Sequence, residues 1–226
     1  MDRFVSAFMP NMIDKFPKFF EALCDTLLMV AWAGIFSLAF GTLLGIVLVV
    51  CKKGGILESS AVFQIVDKAV NFFRSIPFII LLACLIDLTR FIMGTAIGVR
   101  DAIVPLIFGT TPFYAGQIES ALSELDAGLV EAAQSMGDSP LRIIFRVYLR
   151  EGASSIARVT TITLISLIGL TAMAGAVGSG GIGDFAIRYG YNRHQTDVAY
   201  FSVAAIVILV YFIQMLGSQV VKRTKH

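Results

Sequence analysis

Charge is scarce in this chain. Asp, Glu, Lys and Arg make up only 15% of its 226 residues, whereas soluble domains carry about a quarter. Cysteine is nearly missing as well: Cys24, Cys51 and Cys84 lie far apart, with no C-x-x-C spacing. That excludes a disulfide framework and a thiolate metal cluster, and leaves each cysteine as a small apolar residue. His194 and His226 have no companions at ligand spacing, so no metal site is expected. A net charge of +2 supplies no basic field for nucleic acid. There is no nucleotide-binding lysine motif and no Ser/His/Asp set, so neither catalysis nor a bound cofactor is expected of the chain itself.

What is abundant is apolar. The hydrophobic share is 57% and the mean hydropathy +0.81. Leu23–Val50, Ile76–Ile86 with its flanks, Val159–Val177 and Val198–Leu216 are interrupted by few or no charges. A helix needs about 20 apolar residues to cross a hydrocarbon core of ~30 Å. The reading is an all-α polytopic membrane protein with five spans, over residues 20–50, 61–88, 100–118, 153–177 and 198–220. The third is less apolar and contains Pro105 and Pro112. Proline within a span is tolerated where the neighbour is protein or water, which makes that helix, with Pro105 and Pro112, a candidate pathway lining.

Residues 1–19 read as an amphipathic N-terminus with Asp14, Lys15, Pro17 and Lys18. No basic start, short apolar core and cleavage site occur in order, so the first span serves as an uncleaved insertion signal. Basic residues then orient the spans. One side holds Lys52, Lys53, Lys68, Arg74, Arg142, Arg146, Arg150, Arg158 and the basic tail over 222–226. The other holds Arg3, Lys15, Lys18, Arg90, Arg100, Arg188 and Arg193. The first set is larger and closer to the span ends. It is expected to be cytoplasmic, with the N-terminus outside and the C-terminus inside.

The loop over 119–150, between the third and fourth spans, is punctuated. Asp126 suits the cap of a short helix, and Leu129, Val130, Ala133 and Met136 then recur at helical spacing. Gly137 suits the left-handed residue that ends it. Ser139 and Pro140 read as cap and first residue of a second helix. The expected product is a helix–turn–helix elbow followed by basic Arg142, Arg146 and Arg150.

Glu131-Ala132-Ala133, Gly137 six residues after the glutamate, then Val147 and Leu149, resemble the coupling loop of binding-protein-dependent ABC importer permeases of the type I fold. Small alanines allow close approach, Glu131 offers a charge to a basic partner, and Gly137 permits the turn. The family usually has proline after the Leu149 position, where this chain has Arg150. Further runs look like methionine importer permeases: Arg74-Ser-Ile-Pro-Phe-Ile-Ile-Leu-Leu, Ala172-Met-Ala-Gly-Ala-Val-Gly-Ser-Gly-Gly-Ile-Gly-Asp and Ile187-Arg-Tyr-Gly-Tyr. The likeness covers about Glu21 to Val221.

The resemblance implies a permease domain over 20–221 in a bacterial inner membrane, acting as a homodimer. It implies two cytoplasmic ATPase subunits that bind ATP and Mg, and an extracytoplasmic substrate-binding lipoprotein delivering methionine in one or both enantiomers. Glu131, Ala132, Ala133, Gly137, Ser139 and Pro140 would then couple to the ATPase.

Other features weigh differently. Gly178-Ser-Gly-Gly-Ile-Gly183 satisfies G-x-G-x-x-G, but that fingerprint needs a preceding strand. It follows a membrane helix here and reads as a flexible outer turn, with Asp184, Arg188 and Arg193 as candidate contacts for the binding protein. Asp87 and Arg90 are spaced to pair on one helix face. Met173, among Ala172, Ala174, Gly175 and Ala176, fits tight helix packing and is also a candidate gate. Two other functions stay open: the same machine carrying another small polar solute, and a secondary transporter. The latter should show inverted repeats and charges at mid-membrane, and neither is evident.

Overall fold

The computed structural model describes residues 10–95 and 98–224. Arg3 and the rest of 1–9, which open the expected amphipathic segment, lie outside the described residues, as do Lys225 and His226 of the tail. Every regular element among the described residues is helical. After a 3-10 turn over Ile13–Lys15, helix α1 runs unbroken over Phe16–Cys51. Pro17 is harmless in its first turn, where the amide proton would be unpaired in any case. Then follow α2 (Ser60–Ser75), α3 (Phe78–Cys84), α4 (Ile86–Met93) and α5 (Val99–Ser123). The connection to the next long helix contains α6 (Ala127–Ser135), α7 (Pro140–Ile143), a π-helical turn over Ile144–Tyr148 and α8 (Leu149–Glu151). The chain ends with α9 (Ala153–Ala176), short α10 (Gly181–Phe185), a second π-helical turn over Ala186–Tyr191, and α11 (Thr196–Thr224).

Among the described residues three helices are long and apolar enough to cross a bilayer: Ile13–Cys51, Ala153–Ala176 and Thr196–Thr224. The third expected span is the 25-residue α5, less apolar for the reasons its sequence suggested. The second expected span, 61–88, is corrected: no single helix covers it. Its path is α2, α3 and part of α4. Proline drives the residue before it out of helical geometry and has no amide proton to donate. Ile76 and Pro77 are accordingly extended, with ψ of 122° and 132°. The loop boundary also moves, because residues 119–123 continue α5, with Ala121 and Leu122 buried. Asp87 and Arg90, spaced so that they could pair, form no ion pair. Among the described residues the ion pairs are Arg142–Asp138 and Arg188–Asp184. Asp87 sits in the first turn of α4 and Arg90 in its last, each favoured by the helix dipole rather than by the other.

The chain divides into two compact units. The first comprises the described parts of Met1–Gly34, Pro77–Ile107 and Leu164–Ile213. Its core joins Met29, Val30 and Ala33 of α1 to Ala102, Ile103 and Leu106 of α5 and to Leu167, Ile168 and Ala174 of α9. A second cluster gathers Met12, Phe19, Ala22, Phe185 and Val198. There the Phe19 ring meets Phe185 and Phe201 edge-on, at 5.6 and 4.9 Å between centroids. The Asn11 backbone and side-chain amides both donate to Asp197, at 2.9 and 3.1 Å, so the segment before α1 is tied to the start of α11.

The second unit comprises Ile35–Ile76, Phe108–Thr163 and the described part of Gln214–His226. Val49, Val50 and Cys51 pack with Tyr114, Ile118 and Leu122, and with Ala133, Ile143, Ile144 and Tyr148 of the connection. Gly41 and Gly45 let α1 approach α5 closely. A Cβ at Gly41 would lie 2.7 Å from Tyr114, and one at Gly45 would lie 2.6 Å from Ile118. Four residues apart, they form the small-xxx-small pattern that brings membrane helices together. The Tyr114 and Thr160 hydroxyls hydrogen-bond at 2.7 Å. Large apolar side chains remain exposed along α11, among them Tyr200, Val207, Ile208, Tyr211 and Phe212. A lipid-facing helix requires that surface, since lipid is as apolar as the side chains themselves.

Candidate functional site

The elbow is built by local signals at every step. The Asp126 carboxylate accepts the Gly128 amide proton at 2.9 Å and caps α6. At the far end, the Gly137 N–H donates to the Gln134 carbonyl at 2.9 Å and the Asp138 N–H to the Ala133 carbonyl at 3.1 Å. These two bonds are the Schellman closure. It needs a left-handed residue, and Gly137 has φ of 81°. Ser139 is the N-cap of α7 and Pro140 its first residue; the Ser139 hydroxyl makes no capping bond. Arg142 pairs with Asp138 at 2.9 Å across the turn. At Arg150 the exit stays helical, through the π-helical turn and α8. Tyr148 is buried there, and burial raises its phenol above the ordinary value, which keeps it neutral.

The residues expected to couple fall on two sides of the elbow. Ala133 is 2% exposed in the core of the second unit, with Val130 packed partly against it. Glu131, Ala132, Gly137, Ser139 and Pro140 are exposed. The face expected from Leu129, Val130, Ala133 and Met136 is therefore divided. Leu129 and Met136 stand at the two ends of this short helix, and both are exposed, Met136 by 76%. Leu141 and Phe145 are exposed as well, at 67% and 66%. Four large apolar side chains within 17 residues of sequence are thus exposed in the elbow and its exit.

In the first unit, the glycine-rich segment after α9 is not a flexible turn, and that expectation is corrected. Ile182 and Gly183 are buried, and the Ile182 amide donates to the Thr26 hydroxyl of α1 at 2.8 Å. A Cβ at Gly181 would lie 2.7 Å from that hydroxyl, and one at Gly183 would collide with the Ala172 carbonyl. The glycines serve close backbone approach rather than mobility. Asp184 and Arg188 pair at 3.3 Å. The Arg193 guanidinium stands 5.1 Å from the centre of the Tyr189 ring, and the Lys18 ammonium 5.3 Å from it. Asp184, Arg188 and Arg193 are thus gathered around the π-helical turn over Ala186–Tyr191.

Met173 is 46% exposed and shares one open face of α9 with Ser166, Gly169 and Ala176. Pro105 and Pro112, by contrast, are buried inside the subunit. Sequence reasoning missed Gly41 and Gly45, although their spacing was a readable signal.

Comparison with known proteins agrees with this architecture. The family described as binding-protein-dependent transport system inner membrane component matches residues 37–224. The probable D-methionine transport system permease protein of Vibrio cholerae is 46% identical over 205 residues, covering 91% of this chain and 91% of its own. The methionine import system permease protein of Bacillus subtilis is 38% identical, covering 74% of this chain and 75% of its own. The MetNI methionine ABC transporter, solved in inward-facing conformations, matches with a TM-score of 0.92 at 40% identity, over 95% of this chain and 99% of that one. An amino acid ABC transporter with histidines matches at 16% identity and a TM-score of 0.78, a likeness of fold. The fold is therefore that of the type I ABC importer permeases, all-α and membrane-embedded. The chain belongs to the binding-protein-dependent transport system inner membrane component family.

Proposed function

We propose that this chain is the permease subunit of an ATP-driven methionine importer, working as a homodimer. The observation that carries the coupling half of this reading is the elbow. It is capped at Asp126, closed at Gly137, and presents Glu131 among exposed Leu129, Met136, Leu141 and Phe145. A rigid, partly apolar knob of this kind transmits force when seated in a cleft of another subunit. That subunit is an ATPase, one on each permease copy, and it holds the ATP and Mg. Closure of the two ATPases moves the elbows together and switches the pathway between inward-open and outward-open states, a rigid-body transition.

The methionine assignment is supported by the relatives' names at 46% and 38% identity. An extracytoplasmic binding protein delivers the solute, and Asp184, Arg188 and Arg193 form part of its contact. Met173 belongs to the gate on the open face of α9. Pro105 and Pro112, buried within the subunit, support the helix that carries the pathway rather than touching the solute. The N-terminus lies outside and the basic tail in the cytoplasm.

Co-purification with an ATPase, followed by vanadate-sensitive uptake of labelled methionine into vesicles, tests the reading. Competition by other amino acids decides the solute. Uptake driven by an ion gradient and indifferent to vanadate would overturn it.

A further inference from the structure

We propose that Arg74 and Glu119, at the junction of α2 and α5, recognise the zwitterionic backbone of an α-amino acid as it passes. The inference rests on the transport reading above and names the part of the solute that the permease itself selects. Its starting point is α2, which carries three separate stripes. Phe63, Val66 and Val70 pack inward. Val62, Ile65, Ala69 and Phe72 form an exposed apolar stripe, the surface that a lipid-facing helix requires. Ser60, Gln64, Asp67, Asn71 and Arg74, at spacings of three and four, form a polar stripe on the face opposite that one. All five are exposed except Asp67, which is half-buried. Polar and charged groups along a membrane helix turn from lipid toward a water-filled cavity or protein, and they mark solute pathways.

Gly116 is where this stripe meets α5. A Cβ there would lie 2.5 Å from an Arg74 Nη and 3.2 Å from its Cζ, so the guanidinium rests on the bare backbone of α5. Glu119 follows about one turn along α5. It is half-buried, and the charges of Asp67, Lys52 and Arg74 all act on it. Two charges of each sign therefore share this place. Lys52 is engaged by the Ser123 hydroxyl at 3.0 Å, and Asp67 accepts the Asn71 amide proton at 2.7 Å. Arg74 and Glu119 form no hydrogen bond and no ion pair among the described residues, with each other or elsewhere.

The charges select the occupant. The four sum to zero, so they concentrate neither a phosphate nor a simple cation. The two left unengaged are opposite in sign, which suits a ligand that is itself neutral and bears one of each. A guanidinium offers a carboxylate two parallel donors, and a carboxylate accepts from an ammonium. A free α-amino acid carries both groups on one carbon, whatever its side chain or hand. Selection at this point is of the backbone and not of the side chain.

Photolabelling of the full transporter complex in vesicles tests it, with a methionine analogue that carries a diazirine in its side chain. Peptide mapping should find label on α2 and α5 around Arg74 and Glu119. Excess methionine or alanine should remove that label. Methioninamide, which lacks the carboxylate, and 4-(methylthio)butanoate, which lacks the ammonium, should not. Arg74→Gln and Glu119→Gln should each lower the label about tenfold, the worth of one charge-assisted contact, and Arg74→Lys should keep most of it. The competition pattern is read on the wild-type complex, so it stands even where a variant fails to assemble. Label absent from both helices would overturn the proposal, as when a second copy or a lipid covers the pair. Label removed equally by methioninamide, or untouched in Arg74→Gln, would overturn it too. Uptake of methionine by the same vesicles separates the two readings. A complex that transports but gives one of those results loses this inference alone, whereas one that carries no methionine loses the transport reading first.

Discussion

A methyl group at Gly45 would lie 2.6 Å from both Cβ and Cγ2 of Ile118 and 2.8 Å from the Ala115 carbonyl oxygen. The last contact is backbone, and Ile118 is fully buried, so nothing there can move aside cheaply. Gly45→Ala should destabilise the subunit by about 1–3 kcal/mol through overpacking, read as a lower Tm of the detergent-solubilised protein. Gly169 behaves oppositely. Nothing lies within 4 Å of a Cβ built on it, and alanine is favoured over glycine in a helix by up to ~1 kcal/mol. Gly169→Ala should hold or raise the Tm. Gly169→Leu should leave the Tm near wild type yet reduce methionine uptake, because the side chain enters the face that Met173 occupies. Full uptake in that variant would remove this face of α9 from the pathway. The pair separates two uses of glycine that composition alone cannot tell apart: contact within the subunit, and clearance on a working surface.

At the scale of elements, the elbow is the piece with the sharpest test. Gly137 has φ of 81°, whereas proline holds φ near −65° and lacks the amide proton that bonds to Gln134. Gly137→Pro should break the Schellman closure, leaving ATP hydrolysis by the complex running while uptake is lost. Normal uptake would mean that the bend transmits nothing. Asp126→Ala, which removes one cap, should cost only about 1 kcal/mol and leave coupling intact. This element was legible in the sequence because Asp126, Gly137, Ser139 and Pro140 act through their own backbone and that of near neighbours.

Long-range contacts were less legible. The spacing of Leu129, Val130, Ala133 and Met136 announced one apolar face. Which of them would be buried depended on how little of α6 touches the core of the second unit, a tertiary fact. The Ile76-Pro77 break was written in the chain, but hydropathy averaged over 61–88 concealed it. The glycine-rich segment failed for a third reason: glycine permits both a loose turn and a tight approach, and the deciding partners, Thr26 and Ala172, are remote in sequence or in the preceding helix. Gly41 and Gly45 were the opposite case, a readable spacing passed over.

For the whole molecule, orientation in the membrane depends on its charges, and the structure shows how they are spent. Of the basic residues assigned to the outside, Arg188 is paired with Asp184, while Lys18 and Arg193 stand against the Tyr189 ring. Lys15 donates to the Asn11 carbonyl at 2.6 Å. On the side assigned to the cytoplasm, Arg142 has Asp138 and Lys52 has Ser123. Lys53, Arg146 and Arg150 are exposed and make no ion pair among the described residues. Lysine and arginine near span ends set orientation by their resistance to crossing the membrane. Side chains already engaged by local partners resist no less, so the argument rests on the number and position of the inner set.

Cysteine labelling decides the matter. Cys24 and Cys84 are exposed and Cys51 is buried, so all three should first be replaced by serine. In that background Arg193→Cys should react with an impermeant maleimide on intact spheroplasts. Lys53→Cys should react only after the membrane is opened. The reverse pattern would place the elbow outside, away from any ATPase. No arrangement of Glu131, Met136 and Phe145 could then couple hydrolysis to transport.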